Sequence, residues 1–203
     1  MVRIANTGAR QYDSPLRTEQ LEATRGRILD AAIRVMAGGI ATVSVPAIAH
    51  EAGVSVPTVY RHFRTKADLL AAVYPHVARK AGLDRLPDPT SLDDLRDSLR
   101  AIFEQTDALD DLARAAMASP GGEQVRRATM PGRLARIGRW AEGLAGDLSD
   151  ADRARIARLL AVLTTSSSLR MWRDHLGVTV DQAADDIDFI IRAAVAVSTR
   201  TES

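Results

Sequence analysis

The sequence predicts an all-α fold. Apolar residues recur at intervals of three and four through most of the 203 residues, which is the period of one face of an α-helix. No long run alternates apolar and polar residues as a β-strand does. Glycine and proline clusters, with Ser, Thr or Asp at capping positions, divide this pattern into separate helices. We therefore expect a bundle of helices without a sheet.

Composition narrows the class of protein. Apolar residues make up 46% and charged residues 26%, as in an ordinary folded protein with one large or two modest domains. Cysteine is absent and the four histidines have no close ligand spacing, so we expect no disulfide, metal or cofactor. Because no run approaches the ~20 apolar residues of a membrane span and no secretory signal is present, we expect a cytoplasmic protein.

Four segments are predicted in order along the chain. Residues 1–17 carry three arginines without helical or strand period, which indicates a flexible basic tail, either merely solvated or an arm reaching the DNA minor groove. Residues 18–80 form a first helical domain. Residues 81–90 contain two prolines and predict a hinge, and residues 91–203 form a second helical domain.

The first domain has a helix from about Thr18 to Ala37 and then two short helices around a glycine turn. Ser44 caps the first short helix, and Gly53 ends it because glycine adopts the left-handed conformation at little cost. Ser55 caps the next helix. This spacing is typical of a helix-turn-helix, whose second helix enters the DNA major groove, although capped helices around a glycine turn also occur in proteins that do not bind DNA.

Polar residues after the turn favour the DNA-binding interpretation. Lys66 lies in the first turn of a helix that starts near Thr65, where the helix dipole disfavours a cation. A bound phosphate would resolve this conflict, and an ion pair with a surface carboxylate is the alternative. Arg61 would contact the bases, and Tyr60, His62 and Lys66 would contact phosphate groups of the DNA backbone. The candidate DNA-contacting residues are Ser44, Ser55, Val56, Thr58, Tyr60, Arg61, His62 and Lys66.

Charge is distributed unevenly between the two domains. Residues 1–80 hold 11 Lys and Arg against 6 Asp and Glu, a balance of +5, whereas residues 81–203 hold 16 against 20, a balance of −4. A basic first domain attracts phosphate and an acidic second domain is repelled by it. This asymmetry favours a single DNA-binding face, although ordinary variation of surface charge would also produce it.

The stretch AGVSVPTVYRHFRTKADLLAAV, residues 52–73, resembles the DNA-binding signature of the TetR family of transcriptional regulators. The resemblance covers about residues 18–80. The chain departs from the family at Ile40, where an aromatic residue is usual, and at Val56, where a basic or small polar residue is frequent. The resemblance implies a homodimer on a double-stranded, inverted-repeat DNA operator, joined through the last two helices of each subunit.

The second domain is predicted to be helical throughout, for ligand binding and dimerisation. We expect Ser119 to Gly122 to end one helix and Pro131-Gly132 to precede another. The predicted helices lie at about 92–102, 110–118, 134–144, 149–175 and 179–198. The last helix places apolar residues along one face that either forms the dimer interface or packs within its own chain: Ala183, Ile187, Ile190, Ala194 and Val197.

Five weak helix formers, residues 164–168, fall inside the predicted helix 149–175. They indicate either close helix packing or hydroxyl groups lining a cavity for a small-molecule effector. The candidate ligand-binding residues are Phe103, Met117, Trp140, Thr164, Ser167, Ser168, Met171 and Trp172.

No nucleophile, base and acid occur together in a catalytic pattern, so we expect no enzyme. The predicted function is a repressor released from its operator by a small molecule. The alternative is a constitutive DNA-binding regulator, or an activator, without a ligand.

Overall fold

The computed structural model describes residues 15–39 and 43–201, and in this part of the chain it contains helices and loops without strands, which confirms the all-α class. Arg3, Arg10 and Ile40 lie outside the described residues. The helices are α1 (Pro15–Ala37), α2 (Val45–Glu51), α3 (Val56–His62), α4 (Lys66–Lys80), α5 (Leu92–Asp107), α6 (Asp111–Ala118), α7 (Pro120–Ala145), α8 (Asp150–Leu163), α9 (Ser166–Arg170) and α10 (Val180–Thr201).

The predicted helix-turn-helix is present with the predicted caps. The Ser44 hydroxyl accepts a hydrogen bond from the Ala47 amide at 3.3 Å, and the Ser55 hydroxyl accepts one from the Thr58 amide at 3.3 Å. Gly53 has a φ of +64°, a value that disfavours a side chain. Helix α1 begins at Pro15, three residues before the predicted Thr18.

Two apolar cores organise the described residues. The first joins α1 to α4 with α6 and the start of α7, and includes Ile28, Ile48, Val59, Leu69 and Val125. The second joins α5, the end of α7 and α8 to α10, and includes Leu99, Phe103, Trp140, Leu160 and Ile187. Helix α6 follows α5 in sequence but packs on α1, so the second domain contributes to the core of the first.

Helix α7 differs from the prediction of a short helix after Pro131-Gly132. It begins at Pro120, directly after α6, where the Ser119 hydroxyl accepts a hydrogen bond from the Gly122 amide at 3.1 Å. It then continues through Pro131, although an interior proline costs a helix about 3 kcal/mol. The prediction was wrong because α7 buries Val125 in the first core and Ile137 in the second, which outweighs that cost.

The predicted helix 149–175 is also wrong, because it is interrupted at the hydroxyl run. Helix α8 ends at Leu163, the Thr165 hydroxyl caps α9 through the Ser168 amide at 2.9 Å, and a π-helical turn follows at Met171–His175. The Thr164 hydroxyl donates to the Leu160 carbonyl at 2.7 Å. These hydroxyl groups bond to the backbone and so end one helix and begin the next.

The predicted hinge, residues 81–90, is packed against its neighbours. Leu83 is buried within a 3₁₀ turn at Leu83–Arg85, and Asp88 accepts a hydrogen bond from the Arg136 Nε at 2.6 Å. A side chain at Gly143 would lie 2.8 Å from the Thr90 carbonyl oxygen. The segment therefore follows α7 closely.

Helix α10 packs on α5 and α8. Only part of the apolar face that the sequence predicts for this helix takes part in that packing. Ala183 and Ile187 are fully buried within the chain, so for these two residues the alternative of packing within the same chain holds. Their side chains fill the second core. The uncovered side of α10 carries Phe189, Ala193, Ala196 and Val197. No helix among the described residues is long and apolar enough to cross a membrane.

The junction of α6 and α7 generates a stability prediction. A Cβ at Gly122 would lie 2.7 Å from the Ala116 carbonyl oxygen and closer still to that of Met117, whereas a Cβ at Gly138, in the same helix, would meet nothing within 4 Å. We expect Gly122→Ala to lower the free energy of unfolding by about 1–3 kcal/mol through backbone displacement. Gly138→Ala should raise it by about 0.5–1 kcal/mol. Urea denaturation of both variants measures this, and equal effects would contradict the packing described.

Candidate functional site

Helix α3 has a buried side and an exposed side. Val59 and the capping residue Phe63 are 1% and 3% exposed and pack in the first core. On the other side, Tyr60 is 46% exposed and Arg61 is exposed. A helix held by one apolar side presents the opposite side in a fixed orientation, which is the arrangement that major-groove reading requires.

The hydroxyl groups around α3 bond to one another and to the backbone. Besides capping, the Ser55 hydroxyl lies 2.9 Å from the Thr58 hydroxyl. Val56, in the first turn of α3, is half-buried and packs partly against the first core. Ser44 caps α2 in the same way. These residues shape the start of each helix, where free backbone amides can also meet phosphate.

His62 is in a different environment from Tyr60 and Arg61. Its side chain is half-buried, and its Nε2 is buried without a hydrogen-bond partner in the described structure. Desolvation, followed by the positive charges of Arg61 and Arg25, lowers the pKa of His62. A neutral, inward imidazole is a weaker phosphate ligand than the sequence indicated.

Lys66 begins α4 and is half-buried, and none of the ion pairs among the described residues includes it. A capping box surrounds it: the Thr65 hydroxyl accepts from the Asp68 amide at 3.0 Å, and the Asp68 carboxylate accepts from the Thr65 amide at 3.1 Å. Asp68 thus already places negative charge at this helix terminus, which the prediction did not consider. Arg64, just before the cap, is exposed and adds positive charge beside Lys66.

Arg25 of α1 holds the end of α3, and the sequence analysis missed it. Its Nη1 donates to the His62 carbonyl at 3.1 Å, and its guanidinium carbon lies 4.3 Å from the centroid of the Phe63 ring. Both contacts join residues 37 or more positions apart, so the spacing of residues within one helix cannot predict them. Arg25 fixes α3 relative to α1.

A cavity of about 550 Å³ lies between the two cores, within the ordinary range of small-molecule sites. Helix α4 supplies one wall, which includes Tyr74 and Pro75, and α7 supplies another, which includes Arg126, Arg133 and Trp140. Residues from α5, from α6 and the loop before it, from the 3₁₀ turn Leu83–Arg85 and from the 164–166 segment complete the lining. The cavity therefore lies directly against α4, the helix that follows the helix-turn-helix.

The predicted ligand-binding residues divide into two groups. Met117, Trp140 and Thr164 line this cavity. Phe103 is 1% exposed inside the second core, and Met171 is 52% exposed. Ser167, Ser168, Met171 and Trp172 lie outside the lining, where the adjacent Thr165 and Ser166 contribute instead. Arg133 was missed because Pro131-Gly132 was interpreted as a helix boundary.

A helix-turn-helix whose second helix exposes Tyr60 and Arg61 is the architecture of a DNA-binding protein. Residues 28–73 match the family model described as bacterial regulatory proteins, tetR family. The N-terminal part of this chain is therefore similar to the DNA-binding part of that family.

Two curated regulators from Pseudomonas putida are similar over part of their length. The HTH-type transcriptional regulator SrpR is 40% identical over 70 residues, which are 34% of this chain and 33% of SrpR. The uncharacterized HTH-type transcriptional regulator TtgW is 39% identical over 70 residues, 34% of this chain and 52% of TtgW. The match thus spans about one third and one half of these relatives.

A crystal structure of a tetR-family transcriptional regulator from Streptomyces coelicolor aligns with a TM-score of 0.48 and 19% identity. The alignment covers 89% of this chain and 83% of that one.

The anchoring of α3 generates a second prediction. Arg25→Met removes a charged hydrogen bond and a cation–π contact, so we expect the free energy of unfolding to fall by about 1–2 kcal/mol. Arg27→Met is the matched control, because Arg27 is exposed and its one hydrogen bond among the described residues, to Thr24, is 3.4 Å long. Its effect should stay within about 0.5 kcal/mol. Denaturant unfolding measures both variants. Equal stability of the two would mean that Arg25 does not hold α3.

Proposed function

We propose that this chain is a sequence-specific, dimeric transcriptional repressor that a small molecule releases from a double-stranded DNA operator. The observation that carries the DNA-binding part is α3, which is locked by Val59 and Phe63 and exposes Tyr60 and Arg61. DNA binding also supports a cytoplasmic location, where bacterial DNA lies.

Arg61 is the proposed base reader, because an exposed arginine on the outer side of a recognition helix can form two hydrogen bonds with guanine. Val56 and Thr58 lie within one and a half helical turns of Arg61. The side-chain methyl groups of Val56 can contact the methyl group of a thymine. Tyr60, Lys66 and the amides capped by Ser44 and Ser55 are the proposed phosphate contacts. His62 remains a proposed phosphate contact because of its position in α3, although its neutral imidazole is a weak hydrogen-bond donor.

The cavity supports the effector part of the proposal. Its α4 wall includes Ala71, Tyr74 and Ala78, and α4 also buries Leu69 and Val73 in the helix-turn-helix core. Pro75, on the same wall, removes one hydrogen bond from the α4 ladder. A ligand that binds better in one arrangement of α4 shifts the population toward it and thereby changes how the two reading helices are presented.

The uncovered side of α10 supports a homodimer through the last helices. Phe189 is 72% exposed and Val197 is 58% exposed, and Val162 on α8 is 66% exposed. Helices α8 and α10 pack on each other, so these residues belong to neighbouring surfaces. Apolar exposure of this extent on adjacent helices is typical of an interface, and twofold symmetry matches an inverted-repeat operator.

The primary experiment is selection of DNA fragments from a random pool by the purified chain at two salt concentrations. We expect an enriched inverted repeat whose affinity falls steeply with salt, because phosphate contacts release counterions. The absence of any enriched sequence at either salt would refute the proposal.

Arg61→Ala and Lys66→Ala test the division of roles on the selected operator. We expect Arg61→Ala to weaken the binding free energy for the preferred site by about 1–3 kcal/mol and to relax specificity at one base position. Lys66→Ala should weaken all sequences alike and reduce the salt dependence. Fluorescence anisotropy on specific and scrambled duplexes measures both. Equal losses of each variant on both duplexes would overturn this assignment.

Phe189→Glu tests the dimer. We expect the chain to sediment as a monomer and to bind the operator more weakly, because a carboxylate cannot be buried unpaired in an apolar interface. Leu112→Glu on α6 is the control, since Leu112 is 43% exposed on a helix that packs against α1. Analytical ultracentrifugation reports the mass. A dimeric Phe189→Glu variant would exclude this side of α10 as the interface.

A further inference from the structure

The cavity has an excess of positive charge. Four arginines line it, Arg79, Arg126, Arg133 and Arg136, against a single carboxylate, the exposed Asp84. The remaining lining is largely apolar, with Ile102, Met117 and Trp140 among its larger side chains, interspersed with hydroxyl groups. Such a lining combines apolar contact with a localised cationic region.

Two of these arginines are already neutralised. Arg126 pairs with Glu123 at 2.9 Å and also donates to the Met117 carbonyl at 2.6 Å. Arg136 pairs with Asp88 at 2.6 Å. Their charges are therefore largely satisfied within the protein.

Arg133 differs from both of them. None of the ion pairs among residues 15–39 and 43–201 includes it, and its Nη2 donates to the Thr164 hydroxyl at 2.7 Å. Its Nε is buried without a partner. Burial lowers the pKa of Arg133, Tyr74 opposes this effect, and the neighbouring charge of Arg136 lowers the pKa further. A partly buried cation without a counter-charge is costly, and an anion placed beside it would offset both the desolvation and the repulsion.

Trp140 supplies a second unsatisfied donor in the same lining. It lies two helical turns after Arg133 on α7, is 4% exposed, and its Nε1 is buried without a partner. A buried indole N–H usually has an acceptor. The Arg136 guanidinium carbon lies 5.3 Å from the centroid of the Trp140 ring, so the paired arginine is occupied with the ring as well as with Asp88.

We propose that the effector of this regulator is an organic anion, an apolar or aromatic body carrying one carboxylate or sulfonate group that pairs with Arg133. This inference rests on the proposed function, since it names the ligand class of the same cavity. Arg133 lines the cavity together with Tyr74, which lies on α4. An anion paired with Arg133 therefore lies next to α4, which packs in the same core as α3.

Two dyes of the same aromatic skeleton provide the probe. They are 1-anilinonaphthalene-8-sulfonate, which is anionic, and N-phenyl-1-naphthylamine, which lacks the sulfonate. We expect the wild-type chain to bind one anionic dye per subunit, about 10- to 100-fold more tightly than the neutral one, which is the range of a charged hydrogen bond. Fluorescence titration gives both dissociation constants.

Arg133→Gln should abolish this preference while leaving the affinity for the neutral dye unchanged. Arg133→Lys keeps the charge and should retain a preference for the anion. Arg126→Gln is the matched control, with the same substitution on the same helix and cavity, and should change the preference less than about 3-fold, because Arg126 is already paired. Thermal unfolding without dye checks folding, and Arg133→Gln should unfold at or above the wild-type temperature, since it removes an unpaired, partly buried charge.

Equal affinity for the two dyes, no binding of either, or an anion preference that survives in Arg133→Gln would each overturn the inference. Operator binding is measured separately on the same samples. If the wild-type chain binds its operator but does not distinguish the dyes, the anion site is refuted and the proposed regulator stands. If it prefers the anionic dye through Arg133 but enriches no DNA, the regulator is refuted and the anion site stands.

Discussion

Burial of α7 in both apolar cores is the constraint on which the rest of the structure depends. The first part of this helix places Val125 with α1 to α4, and the later part places Ile137 and Trp140 with α5, α8 and α10. Gly121 makes the approach possible, because a Cβ there would lie 2.7 Å from atoms of both Met36 and Val43. A continuous helix shared by two cores couples their positions, since packed interiors resist deformation.

This shared helix also creates the cavity and determines what it can do. The walls are α4, which belongs to the first core, and α7, which belongs to both. Any molecule in the cavity therefore contacts the unit that orients α3 without an intervening linker. The segment 81–90, which the two prolines identified as a hinge, is held along α7 by Asp88 and Arg136. The proposed coupling between the cavity and the helix-turn-helix would pass through packed helices rather than through a flexible connection.

Electrostatics act differently at the two sites. Arg61 on the outer side of α3 and Arg64 in the following loop are exposed and take part in none of the ion pairs of the described residues, so they remain available to phosphate and bases. In the cavity, Arg126 and Arg136 have carboxylate partners while Arg133 has a hydroxyl. The charge of a surface arginine is solvated at little cost, whereas the charge of Arg133 is partly desolvated. An arginine without an ion pair is therefore ordinary on α3, whereas in the cavity it indicates a site for an anion.

The sequence by itself determined the all-α class, the caps at Ser44 and Ser55, the turn at Gly53 and the similarity of the first domain to the TetR family. These features depend on residues within a few positions of one another, so local periodicity and capping chemistry suffice to predict them. Tertiary structure alone decided the continuity of α7 through Pro131, the break after Leu163, the anchoring of α3 by Arg25 and the burial of the Arg133 Nε. Each of these depends on contacts between segments far apart in sequence, where burial outweighs local propensity.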